Sequence, residues 1–269
     1  DFALWEREAM QNGYFKEVLM YWQKQLSLPL SQLNFKSSRM RKRSLSFTTF
    51  DEPIEFEKEL FSGVKALARH EHCTPFMIVL TAITVVLYLQ TGENDIRIGT
   101  LFSNRHRLES EGIIGHLVNT VVLRMLVNPQ LTYSQLLKQV RKVVLEAHAH
   151  AELPFEVLAS VLETDKGAKR NSLIQVLFHY QHLEHQPLKL CGLNVAPLQT
   201  RGNDQDISMR LTAFDLVFNI RETSTDIGGF VNFATNVFSK SDIPSLVQCF
   251  ARILRMVVFS PEYQISSTI

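Results

Sequence analysis

From Phe76 to Leu89 the chain runs fourteen residues without a charge. Thr81 and Thr84 interrupt this stretch, and it falls short of the ~18 consecutive apolar residues expected of a membrane span. Thr74 and Pro75 precede it and Gly92 follows. A Thr hydroxyl can cap a free amide at a helix start, and Pro fits the first turn. The stretch therefore reads as a helix buried in the core of a folded protein, with other elements packed around it.

The flanking segments supply those elements. An opening helix runs to about Leu28, with Tyr14, Val18, Leu19, Trp22 and Leu26 near a 3.6-residue period. Leu45, Phe47 and Thr49 alternate with polar residues as a strand, closed by Asp51, Glu52 and Pro53 as a breaker. A helix from about Phe56 to His70 carries Leu60, Val64, Leu67 and Ala68 on one face. After Gly92 comes a short strand through Ile96, Ile98 and Thr100, then a charged loop from Asn104 to Glu111. Val118 to Val127 reads as a buried strand, expected to be central in its sheet. The Tyr133 to His148 helix is expected to pack across it, and Pro154 opens a shorter helix to about Leu162. Four strand-like runs follow: Leu173 to Tyr180, Leu188 to Ala196, Arg210 to Arg221 and Gly229 to Thr235. Ile243 to Val257 forms a last amphipathic helix. Helices alternating with strands early, and strands clustered late, predict a two-layer α/β sandwich with helices packed on a mixed sheet.

Bulk charge excludes several partners. A formal net charge of +1 provides no field for nucleic acid or an anionic membrane surface. The basic run Arg39, Arg41, Lys42 and Arg43 lies in a Ser-rich stretch and reads as a solvated loop. Cys73, Cys191 and Cys249 are far apart with no Cys-x-x-Cys spacing, which fits a reducing, cytoplasmic setting, and the N-terminal residues show no secretory pattern.

The sequence holds no phosphate-binding loop, no dinucleotide fingerprint and no Gly-x-Ser-x-Gly elbow. Histidines cluster at His70/His72, His148/His150 and His179/His182/His185. Metal sites need ligands on one face, and the first two pairs fall in helical segments where residues two apart diverge. No metal is expected.

Six segments carry a more specific pattern, in order. Asp1, Phe2, Ala3, Leu4 and Trp5 open the chain. Ile98, Gly99 and Thr100 lead to Asn104 and Arg105. Ile114, Gly115, His116, Leu117, Val118, Asn119 and Thr120 end in Arg124. His150, Ala151, Glu152, Leu153, Pro154, Phe155 and Glu156 follow, then Arg170, Asn171, Ser172 and Leu173, and lastly Phe214, Asp215 and Leu216. Together these resemble the second half of the condensation domains of nonribosomal peptide synthetases, whose patterns include D-[FY]-A-x-W, I-G-x-F-V-N-T-x-x-x-R and H-Q-D-x-P-F-E. Leu117 stands for the usual aromatic, Ala151 and Glu152 for Gln-Asp, and Gly167, Lys169 and Ser172 for Asp, Ser and Pro. These departures bear on substrate preference more than on the family.

What the resemblance implies is a chloramphenicol-acetyltransferase-like lobe, one of two that form a V around a tunnel. Donor and acceptor thioesters, each carried on the phosphopantetheine of a carrier protein, meet there, and the acceptor amine attacks the donor carbonyl. No cofactor binds directly. The His-His-x-x-x-Asp-Gly segment that serves this chemistry belongs to the first lobe, and no adjacent histidine pair occurs in this sequence. No catalytic residue is therefore assigned here, and the chain alone is expected to be inactive. Residues 1–269 are expected to form the C-terminal lobe, with 1–28 as an inter-lobe helical segment and 200–213 as the candidate crossover loop. Its expected partners are the first lobe, peptidyl carrier proteins and an adjacent adenylation domain. A heterocyclisation or epimerisation lobe, or a noncatalytic docking domain, stays open as an alternative.

Asn119, Thr120, His150, Pro154, Phe155, Arg170 and Asn171 are the candidates for the tunnel wall. Each also has a plain structural reading, as a backbone anchor, a helix start or a seated aromatic. In the family the Asp of the His segment is held by an Arg of the other lobe, and Arg124 and Arg105 are the candidates. A buried Arg needs a carboxylate, and neither has an evident one in the sequence.

Overall fold

The computed structural model describes residues 2–27, 32–35, 49–105, 108–162, 173–182, 193 and 214–268. Among the described residues eight α-helices and six strands run in the order α1 (Phe2–Gln11), α2 (Lys16–Gln25), β1 (Thr49–Glu55), α3 (Lys58–His70), α4 (Pro75–Thr91), β2 (Asp95–Phe102), α5 (Leu108–Glu111), β3 (Asn119–Leu126), α6 (Tyr133–Ala149), α7 (Phe155–Leu162), β4 (Val176–His182), β5 (Leu216–Glu222), β6 (Ile227–Ala234) and α8 (Asp242–Phe259). The expected crossover loop at 200–213 and the 188–196 run, apart from Leu193, lie outside the described residues.

The strands form one mixed sheet in the order β1-β6-β5-β4-β2-β3. β2, β4 and β5 are parallel, while β1–β6, β5–β6 and β2–β3 are antiparallel. Strand alternation gives the sheet two chemically distinct faces. One presents Ile98, Leu123, Val176, Phe178, Phe218, Ile220 and Val231, all buried. The helix layer packs on it: Phe76 of α4 stacks on Phe178 with ring centroids 5.0 Å apart, and Phe250 of α8 lies 5.5 Å from Phe218. The other face carries Asp51, Asp95, Arg97, Arg124, His179, Asn219, Arg221 and Asn232, interspersed with the buried Val122, Leu177 and Val217.

α4 is the buried helix expected from the charge-free stretch, solvent-shielded from Met77 to Leu87. Thr74 accepts a hydrogen bond from the Met77 amide, Pro75 occupies its first turn and Gly92 follows its end. α6 begins with Thr132 bonded to the Gln135 amide and the Gln135 side chain bonded back to the Thr132 amide.

Three expectations are corrected. β3 is an edge strand, not a central one; its apolar content comes from α6 packed on one side and from α2, whose Trp22 and Leu26 are buried nearby. β1 runs through Asp51, Glu52 and Pro53 instead of ending there, because an edge strand has one side without ladder bonds and tolerates a missing amide. The opening helix is two helices, broken at Gly13, whose φ of +71° is a conformation costly for residues with a Cβ.

Candidate functional site

The motif residues gather at the edge of the sheet, where β3, α2 and the turn between α6 and α7 meet. Asn119 opens β3 and is 8% exposed. Its Nδ2 donates to the carbonyls of Ala151 (2.8 Å) and Leu153 (2.7 Å), and its Oδ1 accepts from the Phe155 amide (3.1 Å). One side chain thus ties the strand to the turn and satisfies a free amide in the first turn of α7. Both polar ends of Asn119 are occupied within the chain, as an anchor requires.

His150 belongs to the same framework. Its ring stacks on Tyr21 of α2 at 3.7 Å and 6°, and its Nδ1 lies 2.7 Å from the Glu146 carbonyl. Trp22 Nε1 donates to the His150 carbonyl, and Tyr14 donates to Glu152. Burial, with Glu146 nearby, pushes the Tyr21 hydroxyl up to about 12, so it stays protonated at neutral pH. Pro154 begins the α7 turn, and Phe155 packs partly buried against the core. Thr120 points to the polar face of the sheet. Arg170 and Asn171 lie outside the described residues.

The two arginines differ. Arg124 makes two parallel bonds to Asp95, Nε to Oδ1 at 2.9 Å and Nη2 to Oδ2 at 2.8 Å, and Nη1 donates to the Gln25 and Ser27 carbonyls. Its carboxylate is therefore inside the chain, which corrects the expectation of a partner elsewhere. The pairing is hidden in the sequence because Asp95 lies diagonal to Arg124 across β2–β3, a register that composition does not reveal. Arg97 is on the same face; burial lowers its affinity for the proton, with Asp95 opposing and Arg124 adding to the effect. Arg105 instead points its guanidinium at backbone carbonyls: Ser110 at 2.6 Å, Ile113 at 2.9 Å, and Glu111 and Gly115 at 3.4 and 3.5 Å. It has no carboxylate partner among the described residues. The loop it organises leaves Leu108 and Ile114 fully or almost fully exposed.

Thr120 and Arg124 are the motif residues on this second face of the sheet, and no motif points to His179 or Asn219 beside them. His179 and Asn219 stand opposite each other on β4 and β5. Burial lowers the His179 pKa, the neighbouring Asn219 side chain opposes this, and Arg221 adds to it. Period-two alternation along Phe178, His179, Tyr180 and Gln181 and along Phe218, Asn219, Ile220 and Arg221 is the available signal. On the helix side, the Tyr180 hydroxyl donates to buried Glu222 at 2.6 Å, and His182 Nδ1 lies 3.4 Å from the same oxygen. Among the described residues no three His, Cys, Asp or Glu side chains are grouped to hold a metal ion, and no single helix is long and apolar enough to cross a membrane.

A six-stranded mixed sheet with helices packed on one face, its edge tied to the turn between α6 and α7 by Asn119, has the chloramphenicol-acetyltransferase-like fold. The chain belongs to the condensation domain family, whose family model matches residues 1–268. It is 31% identical over 255 residues to malpibaldin synthetase of Mortierella alpina, covering 95% of this chain and 4% of that protein. The X-domain from teicoplanin biosynthesis superposes with a TM-score of 0.84 at 20% identity, over 99% of this chain and 60% of the other. The condensation domain of the Monacolin K polyketide synthase MokA superposes at 0.79 and 19% identity, over 98% and 62%. The chain thus spans about three fifths of these two solved chains and a small part of the synthetase.

Proposed function

We propose that this chain is the C-terminal lobe of a condensation domain of a cytosolic nonribosomal peptide synthetase. Joined to a first lobe, it forms one wall of the tunnel in which an acyl or peptidyl thioester and an aminoacyl thioester, both on carrier proteins, are joined by an amide bond. The observation that carries this reading is the match of nearly the whole chain to only about three fifths of solved condensation-type structures. The sequence also lacks two adjacent histidines. The first lobe supplies the imidazole that orients or deprotonates the attacking amine.

Arg105 is the residue of this lobe that meets the Asp of the first lobe's His segment. Arg124 is already neutralised by Asp95, whereas Arg105 keeps a full charge against carbonyl dipoles. A first-lobe carboxylate would complete its pairing, and exposed Ile114 and Leu108 provide apolar surface beside it. The test is sedimentation of this chain with the first lobe encoded before it. A one-to-one complex is expected, weakened at least tenfold by Arg105→Ala; no complex, or no upstream first lobe, would refute the reading.

A second reading is a noncatalytic docking lobe. The teicoplanin X-domain, similar in fold, forms a complex with OxyB. An upstream lobe without the His-His-x-x-x-Asp-Gly segment would favour it.

A further inference from the structure

At the corner where α3 turns into α4 the surface opens into a cavity of about 560 Å³, lined by Lys65, Ala68, Arg69, His72, Cys73 and Pro75. Its chemistry is one-sided. Ala68, Cys73 and Pro75 give an apolar floor, the other three residues carry nitrogen donors, and among the described residues no carboxylate lines the wall. Glu71, the acid next in the chain, is engaged elsewhere, by His70 at 3.1 Å and Lys138 at 4.0 Å.

The cationic heads are held by bonds that leave donors over. Lys65 Nζ donates to the Ser224 carbonyl at 3.0 Å and lies 4.0 Å from the Phe61 ring centroid, which leaves two of its three ammonium hydrogens. Arg69 donates through Nε to the Lys65 carbonyl at 3.3 Å, and its two Nη groups have no partner among the described residues. Arg141 flanks the corner and is fixed the same way, Nε on the His72 carbonyl at 2.9 Å. A guanidinium anchored through Nε presents its Nη pair to an oxyanion with little ordering left to do. His72 adds a second signal. Its φ of +50° is the left-handed conformation that closes helix ends and that glycine adopts at least cost, yet the chain keeps an imidazole there, on the cavity wall. The C-terminus of α3 and the N-terminus of α4 meet here with opposite dipole ends, so the side chains set the sign of the site.

We infer that this corner binds an oxyanion borne on an apolar body, the carboxylate or phosphate on Lys65 and Arg69 beside His72, and the body on Ala68, Cys73 and Pro75. The inference goes beyond the reading of the chain as a condensation lobe and does not depend on it. A bare inorganic ion would leave the floor uncovered, and a neutral apolar molecule would leave both cations unpaired. An anion with an apolar body uses both, and the volume lies within the roughly 300–1,000 Å³ of small-molecule sites.

The test is a titration of the full ¹⁵N-labelled chain with benzoate and with phenyl phosphate, using benzyl alcohol and inorganic phosphate as the body and the head alone. Saturable shifts of the Ala68, His72 and Cys73 amides are expected with at least one of the two anions, with a dissociation constant at least fivefold below that of either control. Binding of benzoate alone assigns a carboxylate ligand; binding of phenyl phosphate alone assigns a phosphate monoester. With Cys191 and Cys249 replaced by Ser, saturating anion should slow the reaction of Cys73 with neutral 4,4′-dithiodipyridine at least threefold. Arg69→Gln, at an exposed position, should weaken binding at least fivefold. His72→Gly should weaken it while the thermal midpoint holds or rises, a split that a purely structural His72 would not give. The site is overturned by no saturable shift with either anion, by equally tight binding of benzyl alcohol or inorganic phosphate, or by unchanged binding in both variants.

Discussion

Asn119→Ala should cost this chain stability out of proportion to its size. The substitution removes two donated bonds, to Ala151 and Leu153, and one accepted from Phe155, all at a residue 8% exposed. At a net ~0.5–1.5 kcal/mol per bond, three lost bonds amount to about 3 kcal/mol, with little relief because Ala151 and Leu153 are themselves buried. Urea unfolding followed by tryptophan fluorescence would read this directly, since Trp22 donates to the neighbouring His150 carbonyl. With a slope near ~3 kcal/mol per molar, the midpoint falls by about 1 M at unchanged slope. Asn119→Asp tests the geometry further. Asp keeps the acceptor for Phe155 but sets a carboxylate against two carbonyls, so at pH 7 it should destabilise at least as much as Ala. A loss below about 0.5 kcal/mol for both variants would refute the anchor role, because that is within the ordinary scatter of surface substitutions.

Arg124→Met or Asp95→Asn alone should each cost about 3 kcal/mol by urea unfolding, since each strands a largely buried charge, whereas the double substitution should cost clearly less than the sum; additive losses would contradict the pairing. Gly229→Ala should abolish cooperative thermal unfolding or lower the midpoint severely, because the new Cβ would sit 1.9 Å from the Asn219 carbonyl oxygen; a near-native midpoint would contradict the close β5–β6 approach. Burial, with Glu71 beside it and Arg141 opposing, pushes the Cys73 thiol up to about 11. With Cys191 and Cys249 replaced by Ser, disulfide reagents at pH 8 should therefore react on the order of 10-fold more slowly than with an unperturbed thiol, because a ~100-fold smaller thiolate fraction is partly offset by the greater nucleophilicity of a more basic thiolate; equal rates would show that the thiol is not desolvated.

The helices and the site are not equally legible in the sequence. α4 can be read from Thr74, Pro75 and Gly92 because caps act within one turn, and α6 from its apolar stripe because it covers the sheet with one face. β1 is misplaced by sequence rules because Pro53 signals a break unless the strand is known to lie at an edge, and edge position is a property of the whole sheet. The same holds for β3: its aliphatic run reports burial, and burial by α6 and α2 looks like burial between two strands. Asn119 is visible as a motif residue, but its three backbone partners come from residues 32 to 36 positions later. Arg124 and Arg105 look equivalent because an Arg side chain reveals its need for an anion and not where that anion is. His179 and Asn219 escape spacing rules suited to metal ligands, since they stand opposite each other on two strands 40 residues apart.

On the proposed function, this chain completes a catalytic domain that it cannot form by itself. The direct measurement is amide formation between two carrier proteins loaded with donor and acceptor thioesters, with this chain alone, with the first lobe alone, and with both. Product is expected only when both are present, with a loss of at least tenfold when Arg105→Ala replaces the wild-type chain, while Arg124→Lys, if folded, retains turnover. Product above the no-enzyme background from this chain alone would contradict the assignment.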